Sequence, residues 1–146
     1  MEENKSLIKY LIAQNQVYLQ ALEELKNGKK VSHWMWFIFP QLRGLGVSDT
    51  AKYYAISNLE EAEAYFNHPV LGQHLIEISE ALLAVPGKTA TEIFGNPDDI
   101  KLRSSMTLFS RIKNTHPVFE QILEKYFHSS ADEYTMELLQ GSSSAN

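Results

Sequence analysis

Six side chains in two distant parts of the sequence have the chemistry of a small-ligand site: His33, Trp36, Gln41 and Arg43 in one part, and Lys101 and Ser105 in the other. In the predicted site, the indole ring stacks on a flat part of the ligand, while the guanidinium and ammonium groups hold its negative charge. The amide and the hydroxyl hydrogen-bond its polar edge, and the imidazole is the candidate general base. These residue types predict binding of a small anionic ligand, nucleotide-like or ADP-ribose-like.

The charged candidates also have purely structural interpretations. Arg43 could form an ion pair with Asp98 or Asp99 and hold two segments together, and Lys101 could pair with Asp99. His33 could be a core histidine whose ring is hydrogen-bonded to a backbone carbonyl. The sequence leaves these alternatives open, and it leaves open whether the protein is an enzyme.

The first four candidates lie in a strongly aromatic segment, residues 31–54, which reads VSHWMWFIFPQLRGLGVSDTAKYY. Because each large aromatic ring buries roughly 150 to 250 Å², we expect Trp34, Trp36 and Phe39 to be largely buried. The glycine pair that follows permits a ligand to approach the backbone closely. An apolar floor and a polar rim are therefore predicted side by side.

The conformation of His33–Phe39 is open between a short helix and a buried strand, since a short, uniformly apolar run has no deciding period. In the helical alternative, Ser32 caps the helix and Pro40 ends it. The function has an alternative from a different class as well. The aromatic block could anchor a partner protein, which would make the chain a non-catalytic protein-protein interaction module.

Several blocks of the sequence resemble one known family. They are SHWMWFIFPQLRGLG at 32–46, HPVLG at 68–72, IFGNPDD at 93–99 and KLRSSMTLF at 101–109, together with Tyr54. Through these blocks, the chain from about Leu11 to Leu139 resembles the bacterial and fungal domain-of-unknown-function family 1810. The resemblance implies a compact, mainly helical single-domain protein without an assigned activity.

Apolar periodicity predicts a mainly α fold, a single compact domain of about seven to eight short-to-medium helices. The first helix is predicted over Lys5–Lys26, with the polar run at 14–16 as a solvated interruption of its apolar stripe. The most regular stripe runs from Leu71 to Val85. The domain is predicted to span residues 1–140, and the tail at 141–146 is predicted to be disordered.

The second group of candidates lies on a helix predicted from Pro97 to about Lys113, with Asn96 as its N-cap. Projected at 100° per residue, Lys101 and Ser105 fall inside its buried arc. Five polar residues fall outside that arc: Arg103, Ser104, Thr107, Ser110 and Arg111. The projection therefore separates predicted site residues from solvated ones.

Other helix starts are predicted from local capping motifs. Three of them have the capping-box spacing, and a fourth has a serine followed by an aspartate: Ser57 with Glu60, Thr89 with Glu92, Ser130 with Glu133, and Ser48 with Asp49. Each motif places a side-chain oxygen where it can accept a hydrogen bond from the first helical turn.

Composition excludes several classes of function. The formal charge of −5 argues against a nucleic-acid partner, and no apolar run approaches the ~20 residues of a membrane span. No cysteine is present, and His68 and His74 are too far apart to face one metal from the same helix, so neither a metal nor a cofactor is expected. The acidic residues near the start are unlike a secretory signal, which predicts a cytoplasmic protein.

Overall fold

The computed structural model describes residues 5–144 of the chain. Ten helices occupy this range: α1 (Ile8–Asn15), α2 (Tyr18–Lys26), α3 (Met35–Ile38), α4 (Asp49–Tyr53), α5 (Leu59–Asn67), α6 (Leu71–Leu83), α7 (Ala90–Phe94), α8 (Asp98–Ser110), α9 (Val118–Phe127) and α10 (Glu133–Ser144). An isolated parallel bridge joins Leu42 to Ile56. The predicted mainly helical class is confirmed, whereas the predicted count of seven to eight helices is too low.

One reason for the higher count is that the predicted first helix is two helices. α1 ends at Asn15 and α2 begins at Tyr18. In the tight turn between them, the N–H of Val17 donates to the carbonyl of Gln14 at 3.1 Å. Buried positions keep the same period on both sides of this turn, so periodicity could not reveal it.

Gln14 is buried, contrary to the solvated position predicted for it. Its side chain is only 2% exposed, while the neighbouring Asn15 and Gln16 are exposed. Its amide nitrogen donates to the carbonyl of Phe37 at 2.7 Å and to the hydroxyl of Tyr65 at 2.8 Å. A buried amide is stable when its groups are hydrogen-bonded, and these partners lie far along the chain from it.

Helix α8 is packed on several sides, since it contacts α5, α7, α9 and α10. Ser104 and Thr107 are buried in these contacts, so their predicted solvated positions were wrong. A helix with several neighbours has a wider buried arc than one apolar stripe indicates. The Thr107 hydroxyl is satisfied there, because it donates to the Arg103 carbonyl at 2.8 Å and accepts from the N–H of Asp132 at 2.9 Å.

Two of the local capping predictions are confirmed. Thr89 and Glu92 form a complete capping box at the start of α7. Ser48 caps α4 through a hydrogen bond from the N–H of Ala51 at 3.1 Å. These motifs were predictable because all of their atoms lie within four residues of one another.

The other predicted caps are replaced by neighbouring side chains. Asn58 caps α5 in place of Ser57, and Asp132 accepts from the first turn of α10 in place of Ser130. In both cases the acceptor is the residue just before the first helical one, which is where a capping side chain reaches the free N–H groups.

Asn96 does not cap the helix that follows it. α8 begins at Asp98, and Pro97 occupies the N-cap position without a side-chain cap. The Asn96 amide instead donates to Asp99 Oδ1 at 3.2 Å, and the same oxygen accepts from the N–H of Ile100 at 2.8 Å. The capping prediction was wrong because Asp99 supplies the acceptor from inside the first turn.

The aromatic block contains a helix rather than a strand. Met35–Ile38 forms a single helical turn, which ends before Pro40. Trp34 and Phe39 are 0% and 1% exposed, whereas Trp36 is half-buried. The burial prediction is therefore right for Trp34 and Phe39 and only partly right for Trp36.

Within residues 5–144, no helix has both the length and the apolar character of a membrane span. The tail predicted to be disordered overlaps the last residues of α10, and residues 145–146 lie outside the described part. The division into a domain at 1–140 and a tail at 141–146 stays a prediction.

Candidate functional site

The carboxylate of Glu24, near the end of α2, fixes the segment that leads into α3. It accepts hydrogen bonds from the N–H groups of Val31 (2.8 Å) and Ser32 (3.0 Å) and from the indole Nε1 of Trp34 (2.9 Å). Burial alone would raise the pKa of this carboxyl group, but the combined donors outweigh burial and lower the pKa of Glu24 to about 2. An ionised Glu24 therefore holds the Trp34 side chain in the core. The side chain of Trp36, two positions further along, points in a different direction from that of Trp34.

The bridge between Leu42 and Ile56 fixes the chain after α3. The N–H of Ile56 donates to the Gln41 carbonyl at 2.8 Å, and the N–H of Arg43 donates to the Ile56 carbonyl at 2.7 Å. Leu42 is buried, so the side chains of Gln41 and Arg43 alternate away from it. Gln41 is half-buried, whereas Arg43 is exposed and donates to the hydroxyl of Ser57 at 3.1 Å.

Lys101, in the first turn of α8, reaches the half-buried indole. Its Nζ lies 5.8 Å from the ring centroid of Trp36 and 3.6 Å from Asp98 Oδ1. The second oxygen of Asp98 lies closer to another cation, 2.9 Å from Lys30 Nζ. Two lysines therefore share one carboxylate, which leaves a net positive charge among the three groups.

The ion pairs differ from the structural alternatives that the sequence allowed. Asp98, not Asp99, is the partner of Lys101. Asp99 accepts from the hydroxyl of Thr91 at 2.5 Å. Arg43 bonds to Ser57, as described above, so its hydrogen bond is to a neutral hydroxyl.

Two adjoining cavities lie at this place. The inner one has a volume of about 10 Å³ and its lining includes Trp36, Gln41 and Lys101. The outer one has a volume of about 280 Å³ and is also lined by Gln41 and Lys101, with Gly46 lining both. Three of the six predicted site residues are thus brought together by the fold.

The other three predicted residues do not line these cavities. His33 and Arg43 are exposed on the segment before and after α3. Ser105 is fully buried, and among the described residues its hydroxyl has no hydrogen-bond partner. Ser104, one position earlier on α8, lines the outer cavity instead, because adjacent helical residues point about 100° apart.

Sequence reasoning missed the contribution of α10 to the outer cavity. Asp132 and Tyr134 line it opposite the first turn of α8. The aspartate is visible in the sequence as a helix-start residue, but nothing local indicates that this start lies against α8. In the described part of the chain, no group of three or more histidine or carboxylate side chains is arranged to hold a metal ion.

These features define a small helical protein with a lysine-lined surface cavity beside a half-buried indole. The chain belongs to the family described as "Protein of unknown function (DUF1810)", which matches residues 4–139, and this confirms the resemblance seen in the sequence. It is similar to the crystal structure of a conserved hypothetical protein from Mycobacterium tuberculosis, with 48% identity and a TM-score of 0.90 over 92% of this chain and 96% of that chain. Among the curated proteins, none matches.

Proposed function

We propose that the protein binds a small anionic, nucleotide-like or ADP-ribose-like ligand between the 33–48 segment and the first turn of α8. The observation that carries the proposal is the position of Lys101 Nζ, 5.8 Å from the ring centroid of Trp36. A cation next to a half-buried indole offers charge to a phosphate and stacking to a flat ring. Gln41 lines the same cavity and supplies a hydrogen-bonding group.

Volume limits how such a ligand fits. The outer cavity, at about 280 Å³, lies just below the ~300 to 1,000 Å³ of most ligand pockets. It suits the phosphate-bearing part of a nucleotide rather than the whole molecule. The inner cavity has room for about one water molecule, so the flat ring must stack on the exposed part of Trp36 outside it.

The charges around the cavity favour an anion at Lys101. Its carboxylate partner, Asp98, is held more closely by Lys30, so a ligand phosphate competes only with a 3.6 Å contact. Asp132 carries the opposing charge on the lining, but its Oδ2 already accepts from the N–H and the hydroxyl of Thr135, at 2.9 and 2.6 Å.

The remaining predicted contacts stay predictions. Arg43 reaches the ligand only if it gives up its hydrogen bond to Ser57 and binds the phosphate instead. Ser105 is buried, so it can contact the ligand only if the packing of α8 changes. His33 stays the candidate general base, and a bond-breaking step is not part of the proposal. The cytoplasmic location and the absence of nucleic-acid and membrane partners also stay predictions.

The alternative, an interaction module anchored by the aromatic block, has less support. Trp34 and Phe39 are buried, so a partner protein would contact Trp36 as its aromatic anchor. Interface hot spots typically cluster several large side chains at the centre of a contact. A single half-buried indole beside a lysine suits a small ligand better.

The test is a thermal-shift and calorimetric titration of the full chain with ADP, ADP-ribose, adenosine and inorganic phosphate. We expect the phosphate-bearing nucleotides to stabilise the protein, by about 2.7 kcal/mol at 100 times the dissociation constant. Lys101→Met should weaken their binding by about tenfold or more, because a hydrogen bond to a charged group contributes about 1.5 to 3 kcal/mol. Lys113→Met, at an exposed position after α8, is the matched control.

Equal binding to the two methionine variants would contradict the proposed role of Lys101. Absence of any shift with all four compounds would remove the ligand proposal itself. Binding of adenosine alone, insensitive to Lys101→Met, would mean that the ligand is not anionic.

A further inference from the structure

A second polar centre lies between α1 and α6, and the orientation of one buried amide determines its chemistry. A backbone carbonyl can only accept a hydrogen bond, so the nitrogen of the Gln14 amide must face the Phe37 carbonyl, 2.7 Å away. The second hydrogen of this nitrogen is donated to the Tyr65 hydroxyl at 2.8 Å. The amide oxygen of Gln14 must therefore point the other way, toward His74.

This orientation fixes the proton on the histidine ring. Nδ1 of His74 lies 2.8 Å from Gln14 Oε1. Since an amide oxygen can only accept, Nδ1 must carry the hydrogen, and Nε2 of the neutral ring then has a free lone pair. Burial lowers the pKa of His74, although the nearby Glu77 acts in the opposite direction, so the neutral ring is favoured at neutral pH.

The imidazole is also held on its face. Tyr18 stacks on His74 with ring centroids 3.7 Å apart and planes 8° from parallel. The Tyr18 hydroxyl donates to Glu77 Oε1 at 2.5 Å and approaches the His74 carbonyl at 3.2 Å. With one edge bonded to Gln14 and one face covered, the ring keeps a single orientation.

Open space adjoins this ring on the protein surface. Two overlapping cavities, of about 460 and 420 Å³, share Gln14, Asn15, Gln16 and His74 in their linings, and together we call them the His74 groove. Within residues 5–144, neither cavity shares a lining residue with the two cavities at Trp36. The His74 groove is therefore a separate site candidate of drug-sized volume.

Apolar side chains and uncharged amides line most of the remainder of the His74 groove. Ile12 and Leu19, on its sides, are 69% and 78% exposed, and Val70 is exposed as well. Among the described residues, its lining includes no lysine or arginine, and the Glu77 carboxylate on it accepts a hydrogen bond from Tyr18. These surroundings disfavour an anion and favour an uncharged molecule with apolar surface.

We propose that the His74 groove is a second binding site, which takes a small, uncharged, partly apolar molecule that donates a hydrogen bond to Nε2 of His74. Gln14 is the positioning residue, because it sets which ring nitrogen is free. The neutral Gln14 amide on Nδ1 adds no charge that would stabilise an imidazolium, and burial outweighs the nearby Glu77, so the ring serves as a hydrogen-bond acceptor and not as a proton carrier. Exposed amides of Asn15 and Gln16 offer further polar contacts at the rim.

The test compares phenol with anisole, which has the same ring but carries a methyl group in place of the hydroxyl hydrogen. Nitrogen-15 spectra of the full chain report the protonation of the histidine ring nitrogens, and His74→Phe identifies the His74 signals among the five histidines. In the free protein we expect a protonated Nδ1 and an unprotonated Nε2. As phenol is added, the Nε2 signal should shift until the site is saturated. Phenol should bind about fivefold more tightly than anisole, because one net hydrogen bond provides about this ratio of affinities.

The variants separate the hydrogen bond from apolar contact. In His74→Phe, which keeps a ring to stack on Tyr18, backbone signals of Asn15 and Gln16 should respond equally to phenol and anisole. His128→Phe replaces an exposed histidine, and in this variant phenol should still bind more tightly than anisole. A protonated Nε2 in the free protein would overturn the proposal. Equal binding of the two compounds to the unmodified chain would overturn it even if His74→Phe does not fold.

Discussion

Glu24 shows how one buried carboxylate can organise a segment that has little regular structure. It accepts from Val31, Ser32 and Trp34, and its second oxygen also accepts from the Ser32 hydroxyl at 2.7 Å. The residues between α2 and α3 thus obtain from a side chain the hydrogen bonds that a helix would otherwise supply.

Glu24→Gln tests this role, and its effect should depend on pH. A pKa lowered from 4.5 to about 2 corresponds to about 3 kcal/mol of stabilisation by the ionised form. Because the folded-state pKa lies below the unfolded one, this stabilisation is complete above about pH 4.5 and is lost as the pH falls toward 2. The variant should be about 3 kcal/mol less stable at neutral pH, and the difference should narrow in acid.

Urea unfolding at several pH values measures this difference. Glu23→Gln is the matched control, since Glu23 is the exposed neighbour on the same helix, and its free energy of unfolding should change by less than about 0.5 kcal/mol. A constant gap between Glu24→Gln and the unmodified protein from neutral pH to acid would contradict the charge-based explanation.

At the scale of elements, α5 and α6 meet where a side chain has no room. A Cβ atom added to Gly72, in the first turn of α6, would lie 1.9 Å from the carbonyl oxygen of Phe66 near the end of α5. The contact is with backbone, which cannot rotate away as a side chain can. Gly72 therefore allows the close approach of the two helices.

Gly72→Ala should destabilise the protein despite the better helix propensity of alanine. The propensity gain is about 1 kcal/mol, whereas forcing an extra methyl group into packed structure typically costs about 1 to 3 kcal/mol and here requires a shift of helix backbone. Thermal unfolding should show a lower midpoint. In α10, no atom of the described residues outside the adjoining helix backbone lies within 4 Å of a Cβ added to Gly141, so Gly141→Ala should leave the midpoint unchanged or raise it. The reverse order of the two variants would contradict the packing argument.

Elements with local signals were predictable from the sequence, and elements defined by distant contacts were not. The stripe from Leu71 to Val85 and the capping box at Thr89 depend on residues a few positions apart, and both correspond to observed helices. The burial of Gln14 and the wide buried face of α8 depend on neighbouring elements. In the candidate site, Trp36, Gln41 and Lys101 could be predicted from their residue types. The direction of the Arg43 side chain depends on the bridge between Leu42 and Ile56, and that of Ser105 depends on how α8 is rotated about its axis. The sequence reveals neither.

At the scale of the whole molecule, aromatic rings connect helices from both halves of the chain. Tyr10 of α1, Tyr65 of α5, Phe109 of α8 and Phe119 of α9 follow one another with centroid separations of 5.1, 5.5 and 5.8 Å. Contacts of this kind contribute about 0.5 to 1.5 kcal/mol each beyond the area they bury. In the part of the chain that the structure describes, the buried hydrophobic side chains form one cluster.

A single core predicts a single unfolding transition. In urea, the aromatic circular dichroism and the helical circular dichroism should give the same midpoint and the same slope, because the rings cannot separate while the helices stay docked. A loss of the aromatic signal at a lower urea concentration than the helical signal would show that part of the chain unfolds independently.

The three partners of Gln14 lie 23, 51 and 60 positions along the chain, on three different elements. Contacts between distant positions form late in folding, after the shorter loops between them have closed. The amide can take its native orientation only when α1, α3, α5 and α6 have all docked. A collapsed chain with its helices already formed would therefore still exchange the ring proton of His74 between both nitrogens, so the lone pair is fixed on Nε2 only when these helices have docked.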